Sequence, residues 1–144
     1  MLQREIRFAN QFDNDKIKEL LIDFYKTYKH PLVADISKWS ATHVDKVLTN
    51  IYAGLGFVLL DEKATGFLVA LRTPCMWIPD TYQLQEGMWH GKTNAIKVKL
   101  LKEYLSIAKA WKADGKIVEY YFNNYGNADF TKYNMKHIGK IWSS

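Results

Sequence analysis

The chain has 144 residues, of which 48% are hydrophobic and 15% aromatic, so it can form one domain with a core but is too short for two. Its single cysteine excludes an internal disulfide and a cysteine-based zinc cluster, and its four histidines do not fall at metal-ligand spacings, so we expect no metal. The apolar runs are shorter than the about 18 residues that cross a bilayer, and the N-terminus lacks the apolar stretch of a signal peptide. We therefore expect a cytoplasmic protein with no membrane partner.

The net charge of +5 is concentrated in one stretch of the chain. Residues 91–116 contain seven lysines and two acidic residues, so this stretch alone carries a charge of +5. The lysines are Lys92, Lys97, Lys99, Lys102, Lys109, Lys112 and Lys116. This pattern is typical either of a solvated helix face or of a site for a phosphate-bearing partner, which would be a nucleotide cofactor or a nucleic acid.

The first half of the chain begins with a strand and a helix. Residues 4–9 alternate in strand fashion, and Asp13 and Asn14 are candidate helix N-caps. Apolar residues then recur at i, i+3, i+4 and i+7 across residues 17–28, which predicts an amphipathic helix. The helix should end before Pro31, because a proline pushes the preceding residue out of the helical region.

The middle of the chain predicts a second helix and three strands. The helix runs from about Ser40 to the glycines at 54 and 56. Residues 57–60 and 65–71 are strand-like, and the four residues between them favour a hairpin. After an irregular segment between two prolines, residues 82–89 predict another strand.

The last part of the chain predicts two helices and two strands. A long amphipathic helix starts at Asn94 and ends at Gly115, since glycine accepts the left-handed conformation of a helix C-terminus. Residues 116–122 resemble a buried strand, residues 128–133 a short helix and residues 140–142 a final strand.

These elements follow one another in the order β-α-α-β-β-β-α-β-α-β. The consecutive hairpins predict antiparallel pairing, whereas the strand, helix and strand after residue 82 predict a parallel crossover. The expected fold class is therefore α/β, with a central mixed sheet flanked by helices. No repeat or flexible linker divides the chain, so we expect a single domain over residues 1–144.

Three stretches of the sequence resemble one family. The segments "GFLVALRTPCMWIPDTYQLQEGMW", "KLLKEYLSIAKAW" and "DFTKYNMKHIGKIW" are similar, in that order, to the third and fourth strands, the central helix and the closing segment of the GNAT superfamily of acyl-CoA N-acyltransferases. The likeness is greatest to the small GNAT proteins of bacteriophages and metagenomes. The resemblance implies an acetyl-CoA-dependent N-acetyltransferase that acts on an amine, either a small molecule, a peptide N-terminus or a lysine.

The resemblance also implies where acetyl-CoA binds. In this family the fourth and fifth strands splay apart around the pantetheine arm, and the pyrophosphate rests on the turn that opens the next helix. Bare N–H groups at a helix N-terminus favour an anion, although every strand-turn-helix unit has such a terminus. The implied cofactor-binding residues are Met88, Trp89, His90, Gly91, Lys92, Thr93, Asn94, Ala95, Ile96, Lys97, Asn123 and Phe130.

Several positions depart from the family pattern, two of them within the implied site. Lys92, Ala95 and Lys97 occupy the three key positions of the pyrophosphate loop, and a lysine at the last of them is bulkier than the small residue of the family. The tyrosine that protonates the departing thiolate in the family falls at Phe130, which has no proton to give. Tyr133 or Tyr125 could supply a hydroxyl instead, and Tyr133 is our candidate for the catalytic role. The alternative for each is a packed ring with its hydroxyl at the surface.

Glu86 is the candidate general base. Strict strand alternation places Leu84, Glu86 and Met88 on one face, and Gln85, Gly87 and Trp89 on the other. A carboxylate among apolar neighbours has a raised pKa because burial penalises its charge, which suits a base for an ammonium substrate. The matching strand of many family members carries a glutamate in this role. The alternative is an exposed strand residue.

The resemblance assigns the amine acceptor to the first two helices and the loop between them, where Tyr25, Tyr28, His30 and Trp39 are the candidate substrate-binding residues. A homodimer is left open by the sequence. The alternative function is a catalytically degenerate GNAT-fold binding module, whose basic helix contacts nucleic acid or a host protein through lysines and stacked rings. Trp111 lies on the apolar stripe of that helix, which favours burial of its ring instead.

Overall fold

A five-stranded sheet forms the centre of the molecule. The computed structural model describes residues 5–28 and 39–122. The strands lie in the order β1 (Ile6–Phe8), β2 (Gly56–Asp61), β3 (Gly66–Pro74), β4 (Tyr82–Gly91) and β5 (Glu119–Tyr121). Neighbouring strands pair antiparallel from β1 to β4, whereas β4 and β5 pair parallel. The predicted hairpins and parallel crossover are thereby confirmed.

Three helices cover the two faces of the sheet. They are α1 (Asn14–Tyr28), α2 (Ala41–Asn50) and α3 (Asn94–Ala113). The mixed α/β fold class is confirmed, and the order of the first eight predicted elements agrees with the structure. The predicted helix at 128–133 and strand at 140–142 lie outside the described residues. No helix in the described part of the chain is long and apolar enough to cross a membrane.

The sheet separates two apolar cores, because successive strand residues point to opposite faces. On the face covered by α3, the buried core includes Ile6, Phe57, Leu59, Leu68, Leu84, Leu100, Leu101, Tyr104, Leu105, Ala108 and Ile117. On the face covered by α1 and α2, it includes Ile17, Leu20, Leu21, Phe24, Leu48, Ile51, Val58, Leu60 and Phe67. We refer to these as the α3 face and the α1/α2 face.

A β-bulge interrupts β4 and reverses its alternation. Val69 pairs with Met88, but the next residue of β3, Ala70, pairs with Glu86, so Gly87 is the extra residue on β4. Leu84 packs into the α3 face before the bulge, and Trp89 packs against the same face after it, whereas Met88 packs on the α1/α2 face. The predicted strict alternation of β4 is therefore wrong beyond Glu86.

Two element boundaries also differ from the predictions. The first helical turn, Gln11–Asp13, is a 3₁₀ turn capped by Asn10, whose side chain accepts a hydrogen bond from the Phe12 N–H at 2.9 Å. Asn10 therefore takes the capping role predicted for Asp13 and Asn14. The strand predicted at 116–122 is shorter because the Lys116 N–H donates to Trp111 O and so completes the end of α3.

Candidate active site

Glu86 lies where β4 and β5 stop pairing. The parallel ladder runs from Gln83–Glu119 to Gln85–Tyr121, and among the described residues it extends no further. On its other edge, β4 continues to pair with β3 as far as Gly91. Glu86 is therefore the first residue of β4 beyond the ladder with β5, and its side chain is fully buried. Fully buried glutamates are rare, because desolvation of the charge is costly.

The Glu86 carboxylate lies close to the Tyr104 phenol of α3. Burial raises the pKa of Tyr104, and the negative charge of Glu86 raises it further. The Tyr104 hydroxyl donates a hydrogen bond to the carbonyl of Tyr121, the last residue of β5. Tyr104 thus fixes the end of β5 next to the buried carboxylate, and a carboxylate so placed can accept a proton from a bound group.

Trp89 follows the bulge and lies on the same face as Glu86. Its ring centroid is 4.9 Å from that of Phe122, the residue after β5, and 4.6 Å from the Lys97 Nζ of α3. Its indole N–H donates to the Lys97 carbonyl at 2.9 Å. Trp89 therefore joins β4, the residue after β5 and the first turn of α3 on one side of the site.

The turn between β4 and α3 has fewer available N–H groups than the sequence predicted. The Lys92 N–H donates to Thr65 O at 3.0 Å, and the Ile96 N–H donates to the hydroxyl of the N-cap Thr93 at 3.2 Å. The N–H groups of Asn94 and Ala95 have no acceptor within residues 5–28 and 39–122, and both residues are exposed. These two amides, with the positive end of the helix dipole behind them, can receive an anion.

Lys97 packs on the turn itself. A Cβ placed on Gly91 would lie 2.9 Å from Lys97 Cγ and 3.2 Å from Lys97 N. Gly91 is therefore required for the close approach of the turn to α3. The bulky lysine is accommodated because its stem lies on this glycine while its ammonium group lies over the Trp89 ring.

His90 is turned away from Trp89. Its side chain is buried on the α1/α2 face, where Nε2 lies 2.6 Å from Oδ2 of Asp23 in α1 and the ring packs against Phe24 and Phe67. His90 and Met88, both predicted to bind cofactor, therefore direct their side chains to the face opposite Glu86. Any contact of theirs with a ligand on the α3 face would be made by the backbone.

The predicted acceptor residues are only partly described. Tyr25 is partly buried, and Trp39 is partly buried against the α1/α2 core. The side chain of Tyr28 and the whole of His30 lie outside the described residues, as do Asn123, Tyr125, Phe130 and Tyr133. Sequence reasoning missed Asp23, whose half-exposed carboxylate meets the buried His90. No spacing rule connects two residues 67 positions apart.

Several lysines of the basic stretch at residues 91–116 interact within the molecule. Lys99 forms an ion pair with Glu5 at 2.9 Å, and Lys116 Nζ lies 5.5 Å from the centroid of the Trp111 ring. Trp111 packs edge-to-face on the buried Phe57 with 5.3 Å between centroids. The ring that a nucleic acid would need for stacking is therefore engaged in the core, as the apolar stripe predicted.

Comparison with known proteins rests on structure. No family model matches the sequence, and no curated protein matches it. The structure is similar to that of a possible acetyltransferase from Clostridium difficile 630, with a TM-score of 0.68 and 14% identity over 97% of this chain and 95% of that chain. It is also similar to a GNAT family acetyltransferase of Staphylococcus aureus subsp. aureus USA300_TCH1516, with a TM-score of 0.63 and 14% identity over 96% of each chain.

A third similar structure is an aminoglycoside acetyltransferase from an uncultured soil metagenomic sample in complex with sisomicin, with a TM-score of 0.62 and 14% identity over 96% of this chain and 94% of that chain. At these identities the likeness concerns the fold. The chain therefore has the mixed α/β fold of the GNAT-family acetyltransferases.

Proposed function

We propose that the protein is an N-acetyltransferase that transfers the acetyl group of acetyl-CoA to an amine. The observation that carries the proposal is the fully buried Glu86, next to a β-bulge and just beyond the last pair of β4 with β5 in the described part of the chain. Buried carboxylates cluster at functional sites, and a general base for an ammonium substrate requires such an environment. The similarity of the fold to several acetyltransferases supports the same reaction.

The β4–α3 turn fits the pyrophosphate of acetyl-CoA. The available N–H groups of Asn94 and Ala95 would donate to phosphate oxygens, and the exposed Lys92 would add positive charge beside them. Trp89 and Lys97 would flank the rest of the cofactor on the α3 face. Bound acetyl-CoA would supply an acetyl thioester, which an amine can attack once its proton has been removed.

In the proposed reaction each residue of the site has a separate role. Glu86 would take the proton from the ammonium form of the acceptor, since only the free amine is a nucleophile. A backbone N–H of the bulged strand near Met88 would donate to the carbonyl oxygen, where negative charge develops. Tyr104 is a poor acid for the departing thiolate because its pKa is raised and its hydroxyl already donates to Tyr121 O. Tyr133 remains our candidate for that role.

We place the body of the acceptor against α1, α2 and the loop between them, near Tyr25 and Trp39, so its amine would have to reach Glu86 on the α3 face past the last described pair of β4 and β5. The favoured acceptor is a small-molecule amine, because one similar fold belongs to an aminoglycoside acetyltransferase. A carboxylate such as that of the half-exposed Asp23 would attract the positive charge of such an amine.

Acetylation of an amine panel by the wild-type protein and by Glu86→Gln tests the proposal. We expect the variant to lose about 10²- to 10⁴-fold in kcat at neutral pH with little change in the KM for acetyl-CoA. The deficit should shrink above the pKa of the acceptor, where the amine is already deprotonated. Glu103→Gln, the same change on α3, is the matched control and should retain full activity. An equal deficit at every pH, or an active Glu86→Gln, would remove Glu86 from the mechanism.

A further inference from the structure

The carboxylate of Asp23 on α1 is held in one position by a buried histidine. Its Oδ2 lies 2.6 Å from Nε2 of His90, and because an ionised carboxylate only accepts, the imidazole donates this hydrogen bond. The His90 side chain is 4% exposed, whereas that of Asp23 is 46% exposed. The buried ring therefore fixes a carboxylate that still faces solvent.

Asp23 differs from the other acidic residues of α1 and α2, each of which pairs with a lysine. These pairs are Asp15–Lys18, Asp45–Lys18 and Glu19–Lys16, at 2.9–3.5 Å. Within residues 5–28 and 39–122, Asp23 has no lysine or arginine partner, and Lys26, one turn further along α1, forms no ion pair with it. Its negative charge is therefore available to a cationic ligand, even though the chain as a whole carries +5.

Asp23 and Glu86 lie on opposite faces of the same part of β4. In the described part of the chain, β5 pairs with β4 only from Gln83 to Gln85, and we call residues 86–91 the outer segment of β4. Glu86 opens this segment on the α3 face, beside Tyr104. His90 lies near its other end and points to the α1/α2 face, where it meets Asp23. The two carboxylates thus flank the outer segment.

The register between β3 and β4 gives the spacing along the sheet. Glu86 pairs with Ala70, and His90 pairs with Phe67, which lies three residues earlier on β3. At about 3.4 Å per residue this separation is about 10 Å. An extended chain advances about 1.2 Å per bond, so a ligand that reaches both carboxylates needs about eight bonds or more between its two amine groups.

We infer that Asp23 is a specificity-determining residue that selects long, linear diamines and polyamines as acceptors, an inference that rests on the proposed acetyl transfer. One ammonium group of the acceptor stays protonated and donates to the Asp23 carboxylate. The chain passes the outer segment of β4, and the second ammonium loses its proton to Glu86. The freed nitrogen then bonds to the acetyl carbon, the thioester C–S bond breaks, and CoA leaves as the thiolate.

Acetylation kinetics with matched pairs of amines test the inference. Each pair consists of an unbranched diamine and the amino alcohol of the same length, which replaces the second ammonium by a neutral polar group. For pairs with about eight bonds or more, we expect the wild-type kcat/KM to be about 5- to 20-fold higher with the diamine. This corresponds to one charge-assisted hydrogen bond at a half-exposed carboxylate. Shorter pairs should show no such preference, because they cannot reach Asp23 and Glu86 together.

Asp23→Asn separates the charge of this residue from its hydrogen bond. The asparagine carbonyl can still accept from His90, so the contact between α1 and β4 is kept while the charge is lost. We expect the preference for long diamines to disappear through a higher KM rather than a lower kcat. A purely structural role of Asp23 would instead lower kcat/KM for diamines and amino alcohols alike. Glu19→Gln is the matched control, since it removes one negative charge a turn earlier on α1 and should keep the preference.

Calorimetric titration with the same amines in the presence of CoA adds a readout without turnover. The long diamine should bind the wild type and Glu19→Gln more tightly than Asp23→Asn, and circular dichroism checks that both variants fold. Equal kcat/KM for long diamines and amino alcohols in the wild type would overturn the inference, with or without a folded variant, and leave acetyl transfer standing. So would an Asp23→Asn protein that keeps the preference. Failure to acetylate any amine would overturn the proposed function and this inference with it.

Discussion

The first N–H group of α3 can be deleted without breaking the helix, which isolates its contribution to acetyl-CoA binding. Asn94→Pro removes this N–H, and proline is well tolerated at the first position of a helix. The preceding Thr93 has φ −132° and ψ 157°, the extended conformation that a following proline requires. Because the amide of Asn94 has no acceptor within residues 5–28 and 39–122, the substitution breaks no hydrogen bond of the described fold.

The expected effects on binding and on stability differ. A hydrogen bond to a charged group contributes about 1.5–3 kcal/mol, so loss of the contact with a phosphate should raise the Kd for acetyl-CoA about 10- to 100-fold. The free energy of unfolding should be unchanged or higher by up to about 1 kcal/mol, because proline restricts the unfolded chain.

Calorimetric titration with acetyl-CoA and urea unfolding measure the two effects on the same samples. Asn94→Ala is the control, since it removes the side chain and keeps the backbone N–H. If the proline and alanine variants bind acetyl-CoA equally well while both remain folded, the pyrophosphate does not rest on the N-terminus of α3.

Two further substitutions test individual contacts of the fold, one beside the site and one at the opposite edge of the sheet. Tyr104→Phe removes the hydrogen bond to Tyr121 O and should lower the free energy of unfolding in urea by about 1–3 kcal/mol. The control Tyr120→Phe changes a half-buried ring and should stay within about 0.5 kcal/mol of the wild type. Equal effects of the two substitutions would contradict the stabilising role of this hydrogen bond. The hydrogen bond and charge of Arg7 lower the pKa of Asp13, so this pair stabilises the fold above the ordinary carboxyl pKa and stops doing so as the pH falls through the lowered one. Asp13→Asn should therefore lower the free energy of unfolding at neutral pH and lower it progressively less in acid, as measured by unfolding at several pH values. A loss that does not vary with pH would contradict the stabilising role of the Arg7–Asp13 ion pair.

The sequence predicted the element order well because helices and strands leave local periodic patterns. The apolar residues of α1 recur with helical spacing, and those of β2 and β3 form strand-like runs on either side of a short turn. The closing Gly115 of α3 has φ 78°, as expected for a helix C-terminus. Such patterns depend on residues that are close in sequence, so they can be recognised without knowledge of the tertiary contacts.

The bulge in β4 could not be predicted from the same patterns. One inserted residue, Gly87, changes the face of every residue after it, and the flanking Glu86 and Met88 are compatible with either register. A glycine within a strand is the one signal that the sequence offered. Its consequence is that Trp89, rather than Met88, shares the face of Glu86.

The remaining site contacts depend on residues far apart in sequence. Asp23 meets His90 only because α1 packs on the face to which the bulge turns that histidine. Lys97 lies over Trp89 only because Gly91 allows the turn to approach α3 closely. Neither residue type nor spacing encodes these distances, so they require the folded chain.

Titration of the wild-type protein with acetyl-CoA by calorimetry tests the central claim most directly. The site described here, with Glu86 buried beside the end of β5 and two available N–H groups at the start of α3, predicts micromolar binding that is weaker in Lys92→Ala and unchanged in Lys109→Ala, since Lys109 lies four turns further along the same helix. The absence of binding at millimolar acetyl-CoA would contradict the proposed acetyl transfer and show that this fold serves another function in the chain.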